Sequence, residues 1–255
     1  SATLGQLAEL GSRLVEIHGQ HEHQALLDRS RQLALLDAFG QHEDKLAAVR
    51  EAARLLESFG HIVEESAPAL RTIDVLQPML DVITSGTAMA VDIVERRRGR
   101  PAGDDELEPT TRSAVAFGRS LSAPRYLESL GAVHRLGRQV GQFMEGDGSP
   151  DSGYDLMLSP VLATPPIELG RIAMNHPDFI EYRIGPNGII RYSPFTPLAN
   201  ATGQPSASVP FATSSEGLPI GVMLTGRFGE DHRVLQAAAQ IERARPWAPF
   251  APYRR

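Results

Sequence analysis

An α/β fold is predicted for this chain, with a mixed sheet flanked by helices and a helical segment at its N-terminus, and three observations predict it. Apolar residues recur at spacings of three and four through the first part of the chain. Proline is absent from residues 1 to 67, while eleven of the nineteen prolines fall between Pro150 and Pro219. Within that proline-rich stretch, short apolar runs bounded by Pro and Gly have the character of buried strands.

The elements follow in order. Leu7, Leu10, Leu14 and Ile17 form one helical face, and Leu46, Val49, Ala53 and Leu56 form another, with Gly40 and Gly60 as stops or connectors. His61-Ile62-Val63-Glu64-Glu65 is β-branched at its centre and soon meets Pro68, so it is expected to be a strand. From Leu70 to about Gly99 the helical pattern is weak. Tyr126, Leu127, Leu130, Val133, Leu136, Val140 and Phe143 make a long apolar stripe that ends at Gly146-Asp147-Gly148, which is the pattern of a helix. Tyr154–Leu158, Ser206–Val209 and Ile220–Leu224 are the expected strands. A closing helix from about Asp231 to Arg245 places Val234, Leu235, Ala238 and Ile241 on one side before Pro246 stops it.

Composition excludes several chemistries. The chain has 255 residues and no Cys, so there is no thiolate nucleophile, no disulfide and no Cys-ligated metal. A net charge of -6 argues against general attraction to nucleic acid. No apolar run approaches the ~20 residues of a membrane span, so the expected location is cytoplasmic. Of the 25 basic residues a single one, Lys45, is lysine, and arginine cannot replace it as a neutral base.

Several clusters invite a functional reading. His18-Gly19-Gln20-His21-Glu22-His23-Gln24 holds three imidazoles and a carboxylate, but a polar loop between helices explains it better than a metal site, and no metal or cofactor is expected. The Arg96–Arg100 run is followed at once by Asp104, Asp105, Glu106 and Glu108, which points to local charge pairing. His134, His176 and His232 stand alone and are expected to be surface or packing residues. The adjacent serines Ser214 and Ser215 lie in Thr213-Ser214-Ser215-Glu216-Gly217, which has the composition of a turn, and neither is expected to be a nucleophile.

Two segments carry resemblances. Leu14 to Leu27, with its His18-Gly19-Gln20-His21-Glu22-His23 string, followed by Leu33–Phe39, resembles the part of the DNA repair ATPase RecN ahead of its coiled coil. This likeness covers about residues 1–45 and implies a nucleotide-sensing role for Gln20. It carries no phosphate-cradling Gly-x-x-x-x-Gly-Lys loop, which a chain with one lysine cannot build at another position.

The rest, about residues 46–252, resembles the amidase signature family. The matching strings are Leu55–Glu65, Tyr154–Pro160 with Pro165-Pro166, Ala199–Pro210, Gly217–Leu224 and the closing helix with Pro246-Trp247. The resemblance implies hydrolysis of amide carbon–nitrogen bonds, with a small amide as substrate. The family's Ser-Ser-Lys core has no counterpart in these strings, and Lys45 falls at the junction of the two resemblances, so no catalytic residue is assigned and the chain alone is expected to be inactive. Asn200, Thr202 and Gln204 are the expected rim of a substrate pocket, against the plainer reading that Thr202-Gly203-Gln204-Pro205 is a turn. The domains are thus 1–45 and 46–255. A sheet lacking neighbours would also expose edges, so self-association, or completion of a non-catalytic scaffold by a partner, is a further expectation.

Overall fold

The computed structural model describes residues 43–149 and 152–247. The chain divides into two units, Ser1–Glu43 and Asp44–Arg255, and the following concerns the second. The expected helical segment of residues 1–42 lies outside the described residues.

Helix α1 (Glu43–Ser58) runs unbroken through the stretch where the two resemblances meet. It buries Ala48, Ala52 and Leu56, three small or aliphatic residues on one face, as the 3.6-residue period requires. The chain turns at Gly60, with φ +91°, and enters the segment expected to be a strand. Here the structure differs: among the described residues, His61–Glu65 forms no strand and pairs with none. Val63 packs on the core, whereas Ile62 is 98% exposed. Glu64, Glu65 and Ser66 are exposed as well, so the inside–outside alternation of a strand is absent and Val63 is the residue of this segment that packs inward.

Three helices and two short ones form a second layer. Helix α2 (Thr72–Arg98) is continuous where the sequence pattern is weak, and it tolerates Pro78 in its interior. It stops at Gly99, which takes the left-handed conformation (φ +69°) and donates its N–H to the Arg96 carbonyl. Helices α3 (Pro109–Ser120) and α4 (Ala123–Glu145) pack on α2. Ser122 caps α4 by accepting from the Arg125 N–H, Pro124 sits in its first turn, and Gly146 ends it as expected. The short helices α5 (Phe179–Ile184) and α6 (Thr196–Thr202) fall in the region expected to hold only strands and turns. Leu80, Ala114 and Phe179 join α2, α3 and α5 in a small core.

Strands β1 (Leu156–Pro160), β2 (Ser206–Thr213) and β3 (Pro219–Gly226) form one sheet in the order β1-β3-β2. Both pairings are antiparallel, which corrects the expected mixed sheet. The reason is local: the connection Ser214–Leu218 is too short for a parallel crossover, so β2 and β3 must form a hairpin. The turn is built by Ser214, whose Oγ accepts from the N–H groups of Glu216 (3.3 Å) and Leu218 (3.1 Å), and by Gly217 at φ +81°. Helix α7 (Asp231–Ala244) lies on β2 and β3. Val209, Phe211, Val222, Leu224, Val234, Ala237 and Ile241 meet the buried face of α1 in the main core. Arg245 closes this unit, stacking on the Phe211 ring at 4.6 Å and pairing with Glu51 of α1.

Candidate functional site

Asn200, Thr202 and Gln204 sit where α6 meets β2, beside the end of the central strand. Helix α6 stops because Gly203 adopts φ +76°, and its N–H returns to the Ala199 carbonyl. Thr202 Oγ1 lies 3.0 Å from the Leu198 carbonyl and 3.0 Å from Gln204 Oε1, with one hydrogen to give to either. Gln204 Nε2 donates to the Gly226 carbonyl at 3.1 Å, and the Gly226 N–H donates to the Pro205 carbonyl. Gln204 therefore fastens the end of α6 to the end of β3.

Asn200 behaves differently. Its amide donates to the Thr196 carbonyl one turn back, at 3.1 Å, from an exposed position. Thr202 and Gln204 are brought together and Asn200 stands apart on the helix. Groups still able to meet a ligand include Asn200 Oδ1, the second amide hydrogens of Asn200 and Gln204, and the lone pairs of Thr202 Oγ1. Phe228, in the loop after β3, is 78% exposed, and a Cβ built on Gly203 would stand 3.4 Å from its ring. This aromatic flank was not expected from the sequence. Its only signal is an aromatic residue beside a glycine, Phe228-Gly229, in a strand-to-helix loop.

The other sequence candidates resolve into structural roles or lie elsewhere. Ser214 is 8% exposed and its hydroxyl is occupied by the two turn amides described above, as the turn composition implied. Lys45 is 5% exposed, and burial lowers its pKa against the opposing pull of Asp44 and Glu216. Arg98 and Arg100 both pair with Glu106, at 3.0 and 2.8 Å, so the basic run and the acidic cluster neutralise each other locally. Those two guanidiniums and the Gly103 N–H hold the Glu106 carboxyl down at about 2. His176 contacts the Asp178 backbone within its own turn. No group of three or more side chains that could hold a metal exists among the described residues. His18, Gln20, His21 and His23 lie outside them.

One buried charge stands out in the helical layer. Asp81 is 2% exposed and accepts from Arg125 Nε and NH2, each at 2.9 Å, and from Ser129 Oγ at 2.8 Å. The network is fully satisfied and lies on facing turns of α2 and α4, so its role is to fix their register.

Comparison with known proteins places the architecture. A family profile described as Amidase matches residues 12–235. The 6-aminohexanoate-cyclic-dimer hydrolase of Pseudomonas sp. (strain NK87) is 29% identical over 209 residues, covering 81% of this chain and 41% of that one. A solved structure of 6-aminohexanoate cyclic dimer hydrolase superposes with a TM-score of 0.68 at 26% identity, over 79% of this chain and 41% of that one. A shorter likeness, 61% identical over 51 residues, is to DNA repair protein RecN of Xylella fastidiosa (strain 9a5c). It covers 20% of this chain and 9% of that one. This chain thus spans about two fifths of the length of the hydrolase it resembles. Among the described residues, no helix is long and apolar enough to cross a membrane. With the profile covering most of its length and the fold matching as well, the chain belongs to the amidase family.

Proposed function

We propose that this chain forms one wall of the substrate pocket of a small-amide hydrolase, with linear or cyclic oligoamides of the 6-aminohexanoate type as the substrate class. The observation that carries this reading is the joint sequence and structural likeness to 6-aminohexanoate-cyclic-dimer hydrolase across four fifths of the chain. Asn200, Thr202 and Gln204 supply the polar rim and Phe228 an apolar flank, a combination that suits a substrate alternating amide groups with methylene runs. Gln204 acts chiefly by holding the rim in place, because its carbonyl oxygen and one of its amide hydrogens are already committed within the fold.

The nucleophile lies outside these residues. A serine hydroxyl needs a base to take its proton, and Ser214 has no hydrogen bond to one among the described residues; its oxygen instead accepts from the Glu216 and Leu218 N–H groups and serves a turn. The expected result is that the full chain alone releases no amine from linear or cyclic 6-aminohexanoate dimers. Turnover lost on Ser214→Ala or Ser215→Ala would overturn this assignment.

A second reading is supported by the RecN likeness: residues 1–45 form a nucleotide-associated segment in which Gln20 senses bound nucleotide. It requires ATP binding by the full chain that weakens on Gln20→Ala. Absence of binding at millimolar ATP removes it.

A further inference from the structure

We infer, resting on the hydrolase reading above, that Arg183 recognises a carboxylate and that the apolar cavity it lines receives the free-acid end of a linear oligoamide. The substrate class is thereby narrowed from oligoamides in general to chains that end in a carboxylate.

Three observations meet at this side chain. First, its guanidinium is unmatched. Arg98, Arg100, Arg119 and Arg125 each reach a carboxylate within 3.0 Å. Arg183 has no ion pair or hydrogen bond among the described residues, although its Nε is buried. A buried donor without an acceptor costs stability, and a carboxylate removes that cost by accepting from the planar fork. Second, Arg183 lines a cavity of about 60 Å³ whose other walls include Leu76, Leu80, Ile83, Ile184 and Ile189. The space holds a few waters or the end of a chain, and the aliphatic walls offer the cation no acceptor. Ser193 also borders it. Its Oγ lies 2.8 Å from Thr196 Oγ1, and since one hydroxyl donates to the other, one hydroxyl hydrogen of the pair stays uncommitted. Third, the arginine is held in place. Its guanidinium carbon stands 5.2 Å from the centre of the Phe179 ring. Phe179 is itself buried, and its N–H donates to Ser113 Oγ at 2.9 Å, which ties α5 to α3. A guanidinium stacked on an aromatic face keeps its N–H edge free and has less freedom to lose on binding.

The chemistry of the ligand follows from what lies next to the cavity. Pro197, in the first turn of α6, lines it as well. Asn200 and Thr202 stand three and five residues further along the same helix, a rise of about 4.5 to 7.5 Å. A run of several methylenes covers that separation. A linear 6-aminohexanoate chain has this form, with an amide, five methylenes and a terminal carboxylate in succession.

The test titrates the full chain with 6-acetamidohexanoate, which carries the same three parts, and with its methyl ester. The arginine Nε–Hε resonances are followed by NMR, and the Arg183 signal is assigned by its loss in Arg183→Lys. The acid is expected to move that signal and to bind about tenfold more tightly than the ester, because the charged acceptor is lost on esterification. Arg183→Gln should bring the acid down to the affinity of the ester, whereas Arg183→Lys should keep part of the preference. A merely structural arginine would lower the melting temperature when replaced and leave the acid-to-ester ratio unmoved. The inference is overturned by equal affinity for acid and ester, by a preference that survives Arg183→Gln, by binding that leaves the Arg183 signal in place, or by no saturable binding of the acid. Amine release from the cyclic dimer by this chain together with the unmatched part of the Pseudomonas hydrolase reads the hydrolase claim separately, since the cyclic dimer has no carboxylate. Acid preference without that turnover keeps the carboxylate site and removes the hydrolase reading, and turnover without acid preference does the reverse.

Discussion

At the scale of single residues, Glu106 shows how a sequence feature that looks like a binding patch becomes an internal tie. Its carboxylate meets Arg98, Arg100 and the Gly103 N–H, and so closes the loop after α2. A carboxyl held below its usual value contributes stability that is present above its unfolded pKa and lost as pH falls through the folded one. The tie is therefore expected to persist to about pH 4.5 and to fade toward about 2. A side-chain NMR titration should place the Glu106 midpoint near 2, and Arg100→Gln should raise it toward the ordinary carboxylate range. Lys45 illustrates the opposite sign. Burial lowers its pKa, so the unfolded chain binds its proton more readily, and the buried charge costs stability at neutral pH. Lys45→Met is expected to raise the melting temperature at pH 7, and the gain should shrink as pH rises toward 10.5, the value of the unfolded side chain. A calorimetric comparison of the two proteins across pH checks this. The pairing of the basic and acidic runs was legible in the sequence because both partners lie within a dozen residues. The burial of Lys45 was not, since no local pattern marks a lysine whose neighbours come from a distant hairpin.

At the scale of elements, close contacts decide what the helices tolerate. Gly118 of α3 faces the backbone of α2, and a Cβ there would lie 2.1 Å from the Thr84 carbonyl oxygen. Because the obstacle is backbone, the helices themselves must separate. Gly118→Ala is expected to cost roughly 1–3 kcal/mol or more, read as a lower denaturant midpoint with an unchanged slope. The Asp81–Arg125 pair sets the same crossing from the polar side. Asp81 is almost wholly buried while Arg125 is about half exposed, so removing the arginine strands a buried carboxylate. Arg125→Ala is therefore expected to destabilise by about 3 kcal/mol, and more than Asp81→Asn, which removes the charge itself. Long periodic elements were legible: the stripe through Tyr126–Phe143 and the pattern of Val234, Leu235, Ala238 and Ile241 both became helices at nearly their expected limits, although Leu127 and Leu235 are exposed rather than on the buried faces. Short ones were not. Helices α5 and α6 have too few turns for a period to emerge, and Asp178, which caps α5 through two backbone amides, was the signal available. Strand direction was likewise hidden, because buried strands of parallel and antiparallel sheets share the same apolar runs.

At the scale of the whole molecule, the described residues form a three-stranded antiparallel sheet covered by α1 and α7, with a helical layer built on α2. Its match to the Pseudomonas hydrolase covers 41% of that chain, and on the function proposed above this chain supplies one wall of the pocket while the rest of such a hydrolase supplies the nucleophile. The family was legible because its strings occur in order along the chain, and Asn200, Thr202 and Gln204 lie within one of those strings. What could not be read was the hydrogen bonding of these three residues, which makes Gln204 a clamp between α6 and β3 and leaves Asn200 the most exposed of the group. The most direct measurement is amine release from 6-aminohexanoate cyclic dimer by three samples: the chain alone, the unmatched part of the Pseudomonas hydrolase alone, and the two together. Turnover by the pair and by neither component is the expected result. Equal turnover by the chain alone, or by the unmatched part alone, would contradict the account.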